Sequence, residues 1–137
     1  MIVDGKCRIT REALEHIVAH ARDARPAECC WLLLGSRATI AEAVRTRNAS
    51  DDPNRFFIDP QAHIDARREA RGRDLDVLGF YHSHPHSLPE PSITDLTEAS
   101  YPDHLYLIVS PATDPTEIRL FRLVAGNFLD VPFHIVR

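Results

Sequence analysis

His82 and His84 stand two residues apart at the close of the apolar run VLGFYHSH (77–84). In an extended strand, residues i and i+2 point to the same face, so both imidazoles project together while Ser83 turns away. Two neutral imidazoles side by side make half of a zinc site, with Zn–N bonds of about 2.0–2.1 Å. A catalytic zinc takes three protein ligands and keeps a fourth position open. The third ligand should be a carboxylate brought back by a short excursion. The following residues supply one: Pro85, Pro89 and Pro91 stiffen a loop that ends at Ser92-Ile-Thr-Asp95. There Asp95, in the first turn of a helix, can face the histidines. The same residues also have a plainer reading. Ser92-x2-Asp95 is a capping-box variant with Asp in place of the usual Glu, and histidine-rich loops are often simply solvated.

Holding such a site requires ordered elements on both sides of it. Thr10 is an N-cap for a helix over about 11–23, whose apolar stripe is Leu14, Ile17, Val18 and Ala21. Pro26 ends it. CCWLLLG (29–35) is a continuous apolar run closed by Gly35, the pattern of a buried strand. A second strand is expected over 38–47, a turn at DDPN (51–54) and a short strand at RFFI. Asp59-Pro60 starts a helix running to about Gly72. The histidine strand follows, then a short helix from Ser92, and strands at LYLIVS (105–110), EIRLFRLV (117–124) and FLDVPFHIV. Strands interleaved with three helices give an α/β or α+β class, one sheet with helices packed on it.

Other histidines and basic residues fit blander roles. His16 and His20 have the i, i+4 spacing of a helical zinc pair, but His-Glu-x2-His needs Glu where the chain has Ile17. Both are expected to face solvent, opposite the apolar stripe. ARREARGR (66–73), interleaved with Asp65, Glu69 and Asp74, reads as a solvated helix face. His-x-Glu with Pro-Cys-x2-Cys, the mark of zinc deaminases, is absent. So are a glycine-rich phosphate loop and a Ser or Cys nucleophile motif.

With 137 residues, 44% hydrophobic and 26% charged, the chain can bury a real core as one globular domain. A net charge of -4 offers no pull toward nucleic acid or anionic lipid, and no apolar run is long enough to span a bilayer. The opening MIVDGKCRITREALEH lacks the apolar centre of a secretory signal. Three cysteines, two of them the adjacent Cys29 and Cys30, point to free thiols in a cytoplasmic protein.

Taken together, His82-x-His84-Pro85-x5-Pro91-Ser92-x2-Asp95 closely resembles the signature of the JAMM (MPN+) zinc metalloproteases, and PAECCWLLLG supplies Glu28 where that family has an upstream glutamate. The resemblance runs through most of the chain. It implies a single JAMM/MPN domain over 1–137, built on one curved mixed sheet, with one Zn2+ held by His82, His84 and Asp95. Glu28 would deprotonate the attacking water and pass the proton to the leaving amine, and Ser92 would hydrogen-bond the oxyanion. Relatives often carry glycine three residues after the glutamate, where this chain has Trp31. Trp31 should point away from Glu28's face, so altered packing is expected rather than lost chemistry. Cys30 shares the Glu28 side and reads as a small buried apolar residue, and His86 as a solvated loop residue.

The family typically cuts at the C-terminal tail of ubiquitin-like proteins. Compact members resemble bacterial hydrolases that free cysteine from a sulfur-carrier protein ending in Gly-Gly. That substrate is the leading expectation, and the resemblance also allows a homodimer. The alternatives are a general desampylase-like or deubiquitinase-like isopeptidase acting on lysine linkages, and a non-catalytic MPN scaffold subunit.

Overall fold

A computed structural model of the chain describes residues 7–46, 59–91, 101, 103–113 and 115–137, less the side chains of Trp31 and Thr46. The elements are β1 (Cys7–Thr10), α1 (Arg11–Ala24), β2 (Cys30–Ser36), β3 (Thr39–Thr46), α2 (Pro60–Gly72), β4 (Asp76–Ser83), β5 (Leu105–Ser110), β6 (Glu117–Val124), β7 (Asn127–Asp130) and β8 (Phe133–Val136). The expected turn at 51–54, the strand at 55–58 and the helix from Ser92 lie outside the described residues. No described helix is long and apolar enough to cross a membrane.

The strands form one mixed sheet in the order β7-β6-β5-β4-β2-β3-β1-β8. The segment 128–136, expected as one strand, divides at Val131-Pro132. Its first half pairs with β6 and its second with β1, at opposite edges of the sheet. Proline has no N–H to give a ladder, so the break falls there. Asp130 and Phe133 are three residues apart and so at most about 11 Å apart. The sheet must therefore curl until its two edges nearly meet. The concave side wraps α1: Ile17 and Ala21 pack with Cys7 and Ile9 from one edge and Leu120 and Val131 from the other. Ala66 of α2 covers the opposite face, with Leu32, Phe80, Tyr106, Ile108 and Phe121.

Both helix starts are capped as their residues dictate. Thr10 Oγ1 accepts from Ala13 N–H at 3.2 Å and Asp59 Oδ2 from Ala62 N–H at 3.0 Å. The face of α1 is a correction to the sequence expectation. Ala13, Ile17, His20 and Ala21 are buried, whereas Leu14 is only partly so. Alanines 13 and 21 let the helix sit close to the sheet, which turns His20 inward, while His16 stays exposed. β1, which the pattern did not suggest, inserts Cys7 and Ile9 into the core and leaves Arg8 outside.

Two glycines set the spacing around the histidine strand. A Cβ on Gly79 would stand 2.1 Å from the Leu105 carbonyl oxygen, so β4 approaches β5 only because that position is bare. A Cβ on Gly35 would stand 1.8 Å from Thr39 O, where the β2–β3 hairpin turns through Arg37 and Ala38 at φ 50° and 65°.

Candidate active site

β4 is central in the sheet, paired antiparallel with β2 and parallel with β5. Its end is enclosed: His82 is 2% exposed and His84, just beyond the strand, 7%. Their Nε2 atoms approach to 3.2 Å. His84 N–H donates to Val109 O at 2.8 Å, which continues the parallel ladder past the end of β4. Its Nδ1 lies 3.0 Å from Leu88 O. A carbonyl can only accept, so Nδ1 carries the proton and the Nε2 lone pair is turned toward His82. Two nitrogens bound at about 2.05 Å with a tetrahedral angle would be about 3.3 Å apart. The pair therefore already has the spacing of two ligands on one small divalent cation. A histidine whose other nitrogen donates to a backbone carbonyl is also the usual form of a zinc ligand. Among the described residues no third His, Cys, Asp or Glu completes a metal-binding group. Asp95 and Ser92, the expected third ligand and oxyanion donor, lie outside the described residues.

The loop leaving His84 is tied down at several points. Pro85 and Pro89 are buried, His86 and Leu88 exposed, so His86 is the loop residue the sequence suggested. Ser110, fully buried at the end of β5, donates its hydroxyl to Ser87 O. Glu90 lies 3.7 Å from Arg119, which also pairs with Asp130. The carbonyl that orients His84 is therefore held by a loop fixed to β5 and β6.

Glu28 is half-buried and stands just before β2. The β2–β4 register pairs Cys30 with His82, so Cys30, which is fully buried, lies opposite a candidate ligand. Cys29 turns the other way, into the α1 core. Alternation along extended chain then assigns Glu28 to the face of His82 and His84. Trp31 pairs with Tyr81, and its side chain lies outside the described residues.

Around Cys29 the structure contains an arrangement the sequence reading did not find. Ser83 N–H donates to Cys29 O at 3.1 Å, and Ser83 Oγ accepts from Cys29 N–H at 2.9 Å. The Cys29 thiol lies 2.8 Å from Tyr81 Oη, which donates to Ile17 O at 2.9 Å. A phenol has one proton, so the thiol must be the donor toward Oη. Burial pushes the Cys29 thiol above its ordinary pKa, opposed by its bonds to Ser83 and Tyr81. Burial likewise raises the Tyr81 phenol, and neighbouring Cys29 adds to the shift. Both stay protonated. The available signal was a serine inside an otherwise apolar strand: a buried hydroxyl must find a partner.

The family description "prokaryotic homologs of the JAB domain" fits residues 10–124 of this chain. The chain belongs to the JAB-domain family. This JAB domain is 33% identical over 117 residues to the desampylase of Haloferax volcanii, covering 80% of this chain and 84% of that protein. It is 30% identical over 132 residues to the CysO-cysteine peptidase of Mycobacterium tuberculosis, covering 93% of this chain and 90% of that one. A solution structure of a Desulfitobacterium hafniense protein superposes with a TM-score of 0.88 at 27% identity, covering 96% and 93% of the two chains. The JAB domain is thus a hydrolase of the JAMM metallopeptidase type, on the curled mixed sheet that the resemblance implied.

Proposed function

We propose that residues 1–137 act as one zinc peptidase domain. It hydrolyses the amide after the C-terminal Gly-Gly tail of a ubiquitin-like sulfur-carrier protein and releases cysteine. The observation that carries this is the 3.2 Å approach of two buried imidazole nitrogens, one of them oriented by Leu88 O. The substrate follows from likeness to a CysO-cysteine peptidase over 93% of the chain. His82, His84 and Asp95 would hold one zinc ion. When bound, zinc supplies Lewis acidity and brings the pKa of a coordinated water to about 7.

The chain's own residues do the rest. Glu28 takes a proton from the attacking water and delivers it to the departing amine as the C–N bond breaks, leaving a carrier carboxylate and free cysteine. The Ser92 hydroxyl donates to the oxygen that becomes negative only in the transition state. An extended tail docks through backbone hydrogen bonds, and glycines pass where a Cβ would clash. Cys7, Cys29 and Cys30 are buried and not joined in disulfides, which suits a reducing cytoplasm.

A second reading, an isopeptidase acting on lysine-linked ubiquitin-like modifiers, draws on the 33% identity to a desampylase and uses the same chemistry. The test assays purified protein for zinc, then offers a carrier–cysteine peptide adduct and a carrier–lysine isopeptide side by side. Faster release from the cysteine adduct is expected, and preference for the isopeptide would select the second reading. Full activity in folded His82→Ala or Glu28→Gln would overturn both. A metal-free protein that hydrolyses neither and binds another subunit would be a scaffold instead.

A further inference from the structure

We infer that Ser83, the residue between the two histidines, is a positioning residue that sets the orientation of Glu28. The inference rests on the reading of Glu28 as the base. Two residues facing each other in a regular antiparallel hydrogen-bonded pair exchange two backbone bonds. At Cys29 and Ser83 only one of the two bonds described is of that kind, Ser83 N–H to Cys29 O. The other runs from Cys29 N–H to the Ser83 hydroxyl at 2.9 Å. The strand register itself ends one step earlier, at Cys30 and His82. The hydroxyl therefore grips the first peptide beyond the ladder.

That peptide is the one joining Glu28 to Cys29. Its plane contains the Glu28 Cα and carbonyl together with the Cys29 N–H, so fixing the N–H fixes where the Glu28 Cα stands. Cys29 is held on its other side by its thiol contact with Tyr81 and, through Tyr81, by α1. Ser83 is fully buried, so water does not replace the lost acceptor. The same residue sits rigidly between His82 and His84, and its own backbone is paired with Val109 of β5. One short side chain thus ties the base to the strand that carries the candidate ligands. Removing the hydroxyl leaves the β4–β5 ladder and the Cys30–His82 register intact while freeing the Glu28 peptide plane.

The test uses zinc-loaded protein and a Gly-Gly carrier joined to cysteine by a peptide bond. Ser83→Ala should keep its zinc content and KM while kcat falls about tenfold to a hundredfold, the usual effect of a misplaced reacting group. Ser83→Thr, which keeps the oxygen, should restore kcat. Amide hydrogen exchange at Cys29 should speed up in Ser83→Ala and return to the original rate in Ser83→Thr. In a Glu28→Gln background, Ser83→Ala should cost nothing further, because both changes act through one group. Should Ser83→Ala not fold, Ser83→Cys carries a poor acceptor of similar size and is measured in its place. A loss of activity that only tracks lost zinc would overturn the inference, and so would a loss that multiplies in the Glu28→Gln background. An inactive Glu28→Gln beside an unimpaired Ser83→Ala would sink the role of Ser83 alone. A fully active Glu28→Gln would sink the reading of the base instead.

Discussion

Tyr81→Phe isolates the buried connection between α1 and the start of β2. The ring is fully enclosed, so phenylalanine keeps its packing and loses only the hydroxyl. Two contacts go with it, at 2.9 Å to Ile17 O and 2.8 Å to the Cys29 thiol. The first is an ordinary hydrogen bond, worth about 1 kcal/mol net. The second leaves a weak thiol donor buried without that acceptor and adds a smaller penalty, for a total of about 1–2 kcal/mol. For 137 residues, unfolding entropy at about 2.1 cal/mol/K per residue converts this into a melting temperature lower by about 3–7 °C. Differential scanning calorimetry on metal-matched samples reads the shift directly. Because burial keeps the phenol protonated well past its ordinary range, the shift should be the same at neutral and mildly alkaline pH. The backbone and hydroxyl bonds to Ser83 survive, so kcat should stay close to wild type. An unchanged melting temperature would refute the claim that this hydroxyl ties the helix to the site. So would a shift that changes between about pH 7 and about 9, since a phenol held above its ordinary value of about 10 stays protonated in the folded and unfolded chain alike across that range.

Other perturbations test separate parts of the structure. His20 is held by burial, and secondarily by Arg45, to a pKa of about 4 against 6.5 unfolded, with Asp23 opposing. A depressed pKa means the stability is fully present above about 6.5 and is lost as pH falls toward 4, where the unfolded chain binds the extra proton. Denaturant titrations of His20→Gln should therefore lose up to about 1.4 kcal/mol per pH unit of slope in that window relative to wild type, and parallel curves would contradict the buried, neutral imidazole. Gly79→Ala drives a Cβ to within 2.1 Å of Leu105 O. It should cost more than about 3 kcal/mol or abolish folding, and a well-folded variant seen by circular dichroism would disprove so close a strand approach. Ala38→Gly relieves a left-handed turn residue at φ 65° and should raise stability by up to about 1 kcal/mol in urea titrations. Chelation should abolish hydrolysis and lower the melting temperature, since a ligand at a hundredfold excess over its dissociation constant contributes about 2.7 kcal/mol; a melting temperature indifferent to chelator and added zinc would count against a metal at the His82–His84 pair.

What could be read from the sequence follows from which forces act locally. LYLIVS and EIRLFRLV were placed residue for residue, because burial on the strand faces leaves an unmistakable apolar pattern. β1 escaped because four residues with two inward side chains, Cys7 and Ile9, carry too little pattern to be seen. The break at Pro132 was missed for a different reason. Apolar residues on both sides of it serve opposite edges of the same sheet, and only the curl of the whole sheet reveals that. His20 was placed opposite a stripe centred on Leu14 and Val18, whereas the buried face is rotated toward Ala13 and Ile17 and carries His20 with it.

The site was partly legible for the same reason. The two-residue spacing of His82 and His84 dictates that they share a face, and the 3.2 Å separation is that rule realised at the end of an enclosed strand. Spacing cannot say what stops the His84 imidazole from turning. That depends on Leu88 O, on Ser110 fixing the loop at Ser87 O, and on β5 running parallel alongside to accept His84 N–H at Val109. These partners come from segments up to 26 residues away in the chain, which only the folded sheet brings together. The proposed base belongs to the same logic. Glu28 gains its place from Ser83, 55 residues later, because a buried N–H at the end of a ladder must be paired, and the nearest acceptor is the hydroxyl lying between the two histidines. A strand that carries the candidate ligands on one face and a clamp on the other sets both at once, and a slip of one residue in the β2–β4 register would exchange their faces.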